Sequence, residues 1–154
     1  MKALVLGIGN ILWADEGFGV RAVEAFDRRF RAREGVEILD GGTQGLYLVQ
    51  NVAEAENLLV FDAIDYGLAP GELKLVRDEE VPKFTGAKKM SLHQTGFQEV
   101  LSAADLLGRY PRRLALIGVQ PERIDWGLEP TATIAAALPA MRVAACEIIG
   151  SWTP

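Results

Sequence analysis

The run Leu58-Leu59-Val60-Phe61 is apolar at every position and stops at Asp62. Successive side chains of a strand point to opposite sides, so an unbroken apolar run fits a strand covered on both faces. Such a strand needs a layer of other structure on each side of its sheet. The rest of the sequence offers those layers. Ala3 to Leu6 is a second short apolar run, broken by Gly7-Ile8-Gly9-Asn10. From about Gly17, the residues Val20, Val23, Phe26 and Phe30 recur at three- and four-residue spacing, the mark of one helical face. Val36 to Leu39 ends at Asp40-Gly41-Gly42, and Leu46, Val49 and Val52 mark another helix.

Short apolar runs interleaved with helical patterns spell an α/β layered domain. Only Ala63 to Gly71, rich in turn residues, separates the apolar run at Phe61 from the next candidate strand, Glu72 to Val76. That connection is too short for a crossover helix, so the fourth strand should run antiparallel to the third or sit at an edge. Arg77 to Met90 reads as a surface loop, and Ser91 as the N-cap of a helix marked by Phe97, Val100, Leu101 and Ala104. Leu114 to Val119 is the fifth strand. Gln120 to Pro130 is a loop carrying Trp126, and a last helix from about Thr131 buries Ile134, Leu138, Met141, Ala145 and Ile148. Without a repeat, a low-complexity stretch or a linker, a single domain over residues 1–154 is expected.

Composition narrows the function. Sixteen Lys and Arg against 21 Asp and Glu give a net charge of −5, which argues against nucleic acid and anionic membranes, both of which need clustered positive charge. The lone Cys146 excludes an internal disulfide and any cysteine-rich zinc site. The opening apolar run has no cleavage-site pattern, and no run reaches the roughly 18 residues of a membrane span. The expectation is a cytoplasmic, monomeric protein whose partner is another protein or a small molecule.

Familiar catalytic signatures fail. Gly7-x-Gly9 opens a dinucleotide fingerprint whose third position is Leu12, and Asp15 and Glu16 would repel phosphate. No Gly-x-Ser-x-Gly elbow or His-Glu-x-x-His helix is present, and Cys146 falls on the apolar side of the last helix as a small hydrophobe. What remains is a set of polar residues beyond the carboxyl ends of the strands, where loops of an open α/β sheet collect function. Glu16 follows strand one, Asp62 ends strand three, and His93 begins the helix before strand five; Asp40, leaving strand two, is a fourth. Two carboxylates and an imidazole suit nickel, zinc, copper or iron better than magnesium, and three ligands leave positions open for substrate or water. Each residue also has a structural reading: Glu16 favours a helix N-terminus, Asp62 caps a loop, and His93 is an ordinary polar residue at a helix start.

Five segments in order carry a resemblance. Gly7-Ile8-Gly9-Asn10-Ile11-Leu12-Trp13-Ala14-Asp15-Glu16-Gly17-Phe18-Gly19, Asp40-Gly41-Gly42-Thr43-x-Gly45, Phe61-Asp62-Ala63 with Pro70-Gly71, Ser91-Leu92-His93-Gln94-Thr95-Gly96 and Gly118-Val119-Gln120-Pro121 together resemble the nickel-iron hydrogenase maturation endopeptidases. The resemblance spans nearly the whole chain. It implies a three-layer α/β/α sandwich, phosphorylase/hydrolase-like, around a five-stranded mixed sheet with strand four antiparallel. It also implies a peptidase that removes a C-terminal extension from the hydrogenase large-subunit precursor after nickel insertion, with nickel contacts at Glu16, Asp62 and His93. Many relatives carry a serine where this chain has Gly127-Leu128-Glu129-Pro130.

A peptidase without a resident nucleophile needs something to polarise the carbonyl and activate water, and a divalent metal does both. Nickel delivered within the precursor would serve Glu16, Asp62 and His93 as a recognition handle. Asp40 would position the scissile segment or water, or is a turn-forming Asp before glycines. Trp13 and Phe18 offer an apolar docking surface, unless Phe18 joins the core. Two other classes remain open at this point: a non-catalytic nickel-binding chaperone, and a hydrolase of nucleoside-like small molecules.

Overall fold

A computed structural model describes residues 2–9, 14–30, 34–42, 45–82, 92–123 and 125–152, with the side chains at 16, 27–30 and 92–96 outside that description. Five strands form one sheet: β1 (Ala3–Ile8), β2 (Val36–Gly42), β3 (Asn57–Ala63), β4 (Leu73–Arg77) and β5 (Arg113–Val119). Their order is β2-β1-β3-β5-β4. The first three and β5 run parallel, and β4 alone runs antiparallel, paired to β5 with Leu73 opposite Val119 and Arg77 opposite Ala115. The short 64–72 connection therefore crosses over β5's position and returns at the sheet's edge, so the fourth strand is an edge strand antiparallel to β5.

Helices α1 (Phe18–Phe30) and α4 (Ala132–Trp152) cover one face. There Phe18, Ala22, Val23 and Phe26 of α1 and Ile134, Met141, Ala145 and Ile148 of α4 meet Val5, Leu59, Phe61, Ala115 and Ile117. Helices α2 (Val49–Glu54) and α3 (Leu92–Leu106) cover the other face, with Val52, Phe97, Val100, Leu101 and Ala104 against Leu4, Leu6, Leu58, Val60 and Leu116. The odd and even residues of β3 thus belong to two different cores, which is why its sequence is apolar throughout. Two short 3-10 turns, Ala14–Gly17 and Gly45–Leu48, lead into α1 and α2.

Two glycines set the approach of α1 to the sheet. A Cβ on Gly19 would collide with the carbonyl oxygens of Ile8 and Phe61, and one on Gly7 with Gly19 and Val23. Only with both bare can the first turn of α1 rest on the ends of β1 and β3. Phe18, proposed for docking, is fully buried and belongs to the core; Trp13 lies outside the described residues. Ser91, the expected N-cap, also lies outside them, as does most of the expected 77–90 loop. Cys146 packs half-buried against the α1/α4 core. Helix α4 has 21 residues and, despite Arg142 and Glu147, an 18-residue window of mean hydropathy 1.6, which by length and composition alone would suffice to cross a membrane. Its face with Ile134, Met141, Ala145 and Ile148 is instead spent on the sheet.

Candidate active site at the carboxyl edge of the sheet

The parallel strands put the ends of β1, β2, β3 and β5 on one edge, and that edge gathers the expected site. Asp62 lies inside β3, opposite Gly118 of β5, one residue further into the sheet than a loop cap would sit. It is only 3% exposed. Alternation along β3 points it to the face of Leu58 and Val60, the side covered by α2 and α3. A carboxylate so placed is costly to bury and must be partnered, which sets it apart from an ordinary loop-capping Asp at the surface.

Glu16 belongs to the 3-10 turn Ala14–Gly17, which packs against β3. His93 belongs to the first turn of α3. The chain leaves α3 at Leu106 and enters β5 at Arg113, which sits at the amino edge, so α3 ends there and begins at the carboxyl edge. A 15-residue helix is about 22 Å long, close to the length of a seven-residue strand. His93 is thus brought to the same edge, and to the same face, as Asp62. The side chains of Glu16 and His93 lie outside the described set, and among the described residues no group of three acidic, His or Cys side chains converges on a metal position.

Asp40 stands apart. It pairs with Gly7 in β2, two strands from Asp62, and falls on the alternation of Val36 and Ile38, which pack toward α1 and α4. Its Oδ1 accepts the Gly42 backbone N–H at 3.0 Å, the hydrogen bond of a turn-forming Asp.

Three residues to which the sequence reading gave no structural role, Asp15, Gln120 and Tyr66, lie among the loops of this edge. Asp15 is fully buried. Its carboxylate accepts the N–H groups of Glu122 (2.9 Å), Arg123 (2.8 Å) and Thr131 (2.6 Å) and the Thr131 hydroxyl (3.0 Å). The Ala14 N–H adds a bond to the Gly127 carbonyl, and Arg21 donates to that of Leu128 at 2.9 Å. The 121–131 loop is thereby fastened to the turn that carries Glu16. Gln120 does the same for the loop after β3: its Oε1 accepts the N–H groups of Tyr66 (2.8 Å) and Leu68 (3.1 Å), and its Nε2 donates to Asp65 at 2.9 Å. Tyr66 packs against the α2/α3 core. Burial, with the Asp62 carboxylate adding to it, pushes its phenol up to about 12. The only local hint to these roles was an acid beside Glu16 and an amide directly after an apolar strand.

The hydrogenase maturation protease family model matches residues 20–148. A hydrogenase expression/formation protein HupD of Rhizobium leguminosarum bv. viciae is 66% identical over 152 residues, covering 98% of this chain and 75% of that protein. The hydrogenase 2 maturation protease of Escherichia coli K12 is 48% identical over 135 residues, covering 85% of this chain and 81% of that one. Among solved structures, the hydrogenase maturating endopeptidase HybD from E. coli superposes with a TM-score of 0.93 at 41% identity, covering 98% of this chain and 93% of that one.

Proposed function

The chain belongs to the hydrogenase maturation protease family, and from that premise we propose that it removes the C-terminal extension of the nickel-iron hydrogenase large-subunit precursor, using the precursor's own nickel as a recognition handle. What supports this reading is that the backbone at 16, 62 and 93 lies at one edge of the sheet, with Asp62 buried in the strand itself. Two carboxylates and an imidazole form a donor set suited to nickel, and three protein ligands leave room for groups of the precursor. The metal, when present, supplies polarisation of a carbonyl or a lowered pKa for water. The chain's own part is to hold the three donors in register. Asp15 fixes the turn that bears Glu16, β3 fixes Asp62, and α3 fixes His93.

The same edge suits a macromolecular substrate. Leu46 and Tyr47 after β2, and Trp126 and Leu128 after β5, are all exposed there, and apolar groups so placed favour contact with another protein over a small polar ligand. A monomer acting in the cytoplasm on a protein precursor completes the proposal; the single half-buried cysteine is at home in a reducing compartment.

The test is intact-mass measurement of a large-subunit precursor incubated with this protein, with and without nickel loaded. Loss of a C-terminal peptide from the loaded form alone is expected. Equal cleavage of both forms would remove nickel as the handle, and binding without any mass change would favour a nickel-binding chaperone. His93→Ala, Glu16→Ala and Asp62→Ala are each expected to abolish processing, and unimpaired cleavage by all three would overturn the site.

A further inference from the structure

Among the described residues, β4 is the last strand of the sheet and nothing pairs with its outer edge. None of its residues is fully buried. Beside it runs a cleft of about 690 Å³ whose lining includes Tyr66, Leu68, Lys74, Leu75 and Arg77, with one acid, Glu80. Tyr66 and Leu68 form the end of the cleft nearest the carboxyl edge, since their N–H groups are held by Gln120 directly after β5, and Leu73 pairs there with Val119. The cleft therefore runs from the carboxyl edge along the edge strand.

We propose that the C-terminal extension of the precursor binds as an added strand on β4, with Lys74 and Arg77, which strand alternation sends to opposite faces, each placed to meet a carboxylate on its own side of the extension. The proposal rests on the protease reading above and specifies where its substrate lies. Peptidases act on extended chains, and an extended chain satisfies its backbone groups on an open sheet edge. The polarity agrees. Because β4 is antiparallel to β5, Leu73 lies at the carboxyl edge beside the site and Arg77 toward the far side. A peptide cut at the site would run its released part in the direction of β4, from Leu73 to Arg77, a span of about 16 Å for five residues. The charge agrees too. On a chain of net charge −5, this strand presents two cations that form no ion pair among the described residues. An edge lysine can simply deter aggregation. Deterrence alone does not call for a cleft that opens at the carboxyl edge of the sheet.

The experiment pairs two readouts on the full chain. In the first, the charge-reversed variant Lys74→Glu with Arg77→Glu, both exposed positions, is assayed on nickel-loaded precursor beside the wild type. The expected result is KM raised about tenfold with kcat within twofold, the pattern of lost ground-state binding. In the second, backbone hydrogen exchange is followed on the wild type with a synthetic peptide of the extension, and slowed exchange is expected at residues 73–77. Unchanged KM in the variant, or protection confined to other segments, overturns the edge-strand proposal while leaving the protease reading intact. Failure of the wild type to cut the precursor overturns the protease reading, and the exchange pattern then judges the edge strand by itself.

Discussion

At the scale of single residues the decisive groups are those whose burial would be costly if they stood alone. Asp15 is the clearest, a fully buried carboxylate that accepts four hydrogen bonds from one loop. Replacing it by Ala strands the N–H groups of Glu122, Arg123 and Thr131, and about 2–4 kcal/mol of stability is expected to go with them. Urea unfolding of Asp15→Ala measures that loss, and a midpoint equal to wild type would show that the loop is fastened elsewhere. Tyr66 makes a second residue-scale prediction. An unfolded tyrosine ionises near 10 and the folded Tyr66 near 12. Between those values the folded state keeps a proton that the unfolded state has lost, so stability present below pH 10 falls as the pH rises toward 12. Tyr110, also raised by burial and by Asp105 and Asp78, pulls the same way. Tyr66→Phe should leave a shallower decline in urea midpoint over that range; a decline as steep as wild type would place the effect elsewhere.

At the scale of elements, α1 is set by what it lacks. With a methyl group on Gly19 driven into the carbonyls of Ile8 and Phe61, the helix must lift from the sheet and take the turn bearing Glu16 with it. Gly19→Ala is expected to cost about 3 kcal/mol or more and to lower processing beyond what the loss of folded protein explains. Thermal melts beside activity per folded molecule check both parts. The strands were legible in the sequence because alternation and apolar runs depend on neighbours alone, and β4's edge position followed from a connection too short for a helix. Strand ends were not: β2 runs on through Asp40 to Gly42 and β3 through Asp62 to Ala63, because pairing with β1 and β5 carries the ladder past the apolar residues. Glu16, Asp62 and His93 were readable as residues that follow strands or open helices. Asp15 and Gln120 were not, since their partners lie 116 and 54 residues away in the chain and only the fold brings them together.

At the scale of the whole molecule, the two edges of the sheet differ in kind. The amino edge carries a small polar pocket of Glu56, Asn57, Arg112 and Arg113 beside Trp152, and the carboxyl edge carries the candidate ligands with an exposed apolar rim. Tyr47 is 87% exposed and Trp126 69%, and they belong to loops after β2 and β5, on opposite sides of Asp62's strand. Large aromatic groups exposed around the candidate edge are the kind of side chain that dominates binding where a partner buries them centrally. The 121–131 loop is held rigidly by Asp15 and Arg21, so Trp126 and Leu128 are presented without a large ordering cost on binding. Trp126→Ser with Leu128→Ser is therefore expected to raise KM for the precursor about tenfold and to leave kcat and thermal stability near wild type, since neither side chain joins the core. Steady-state processing of nickel-loaded precursor measures this. If the double variant lost kcat instead, the loop would act on the chemistry; if it lost nothing, the precursor would approach from the β2 side, where Leu46 and Tyr47 would be the pair to change.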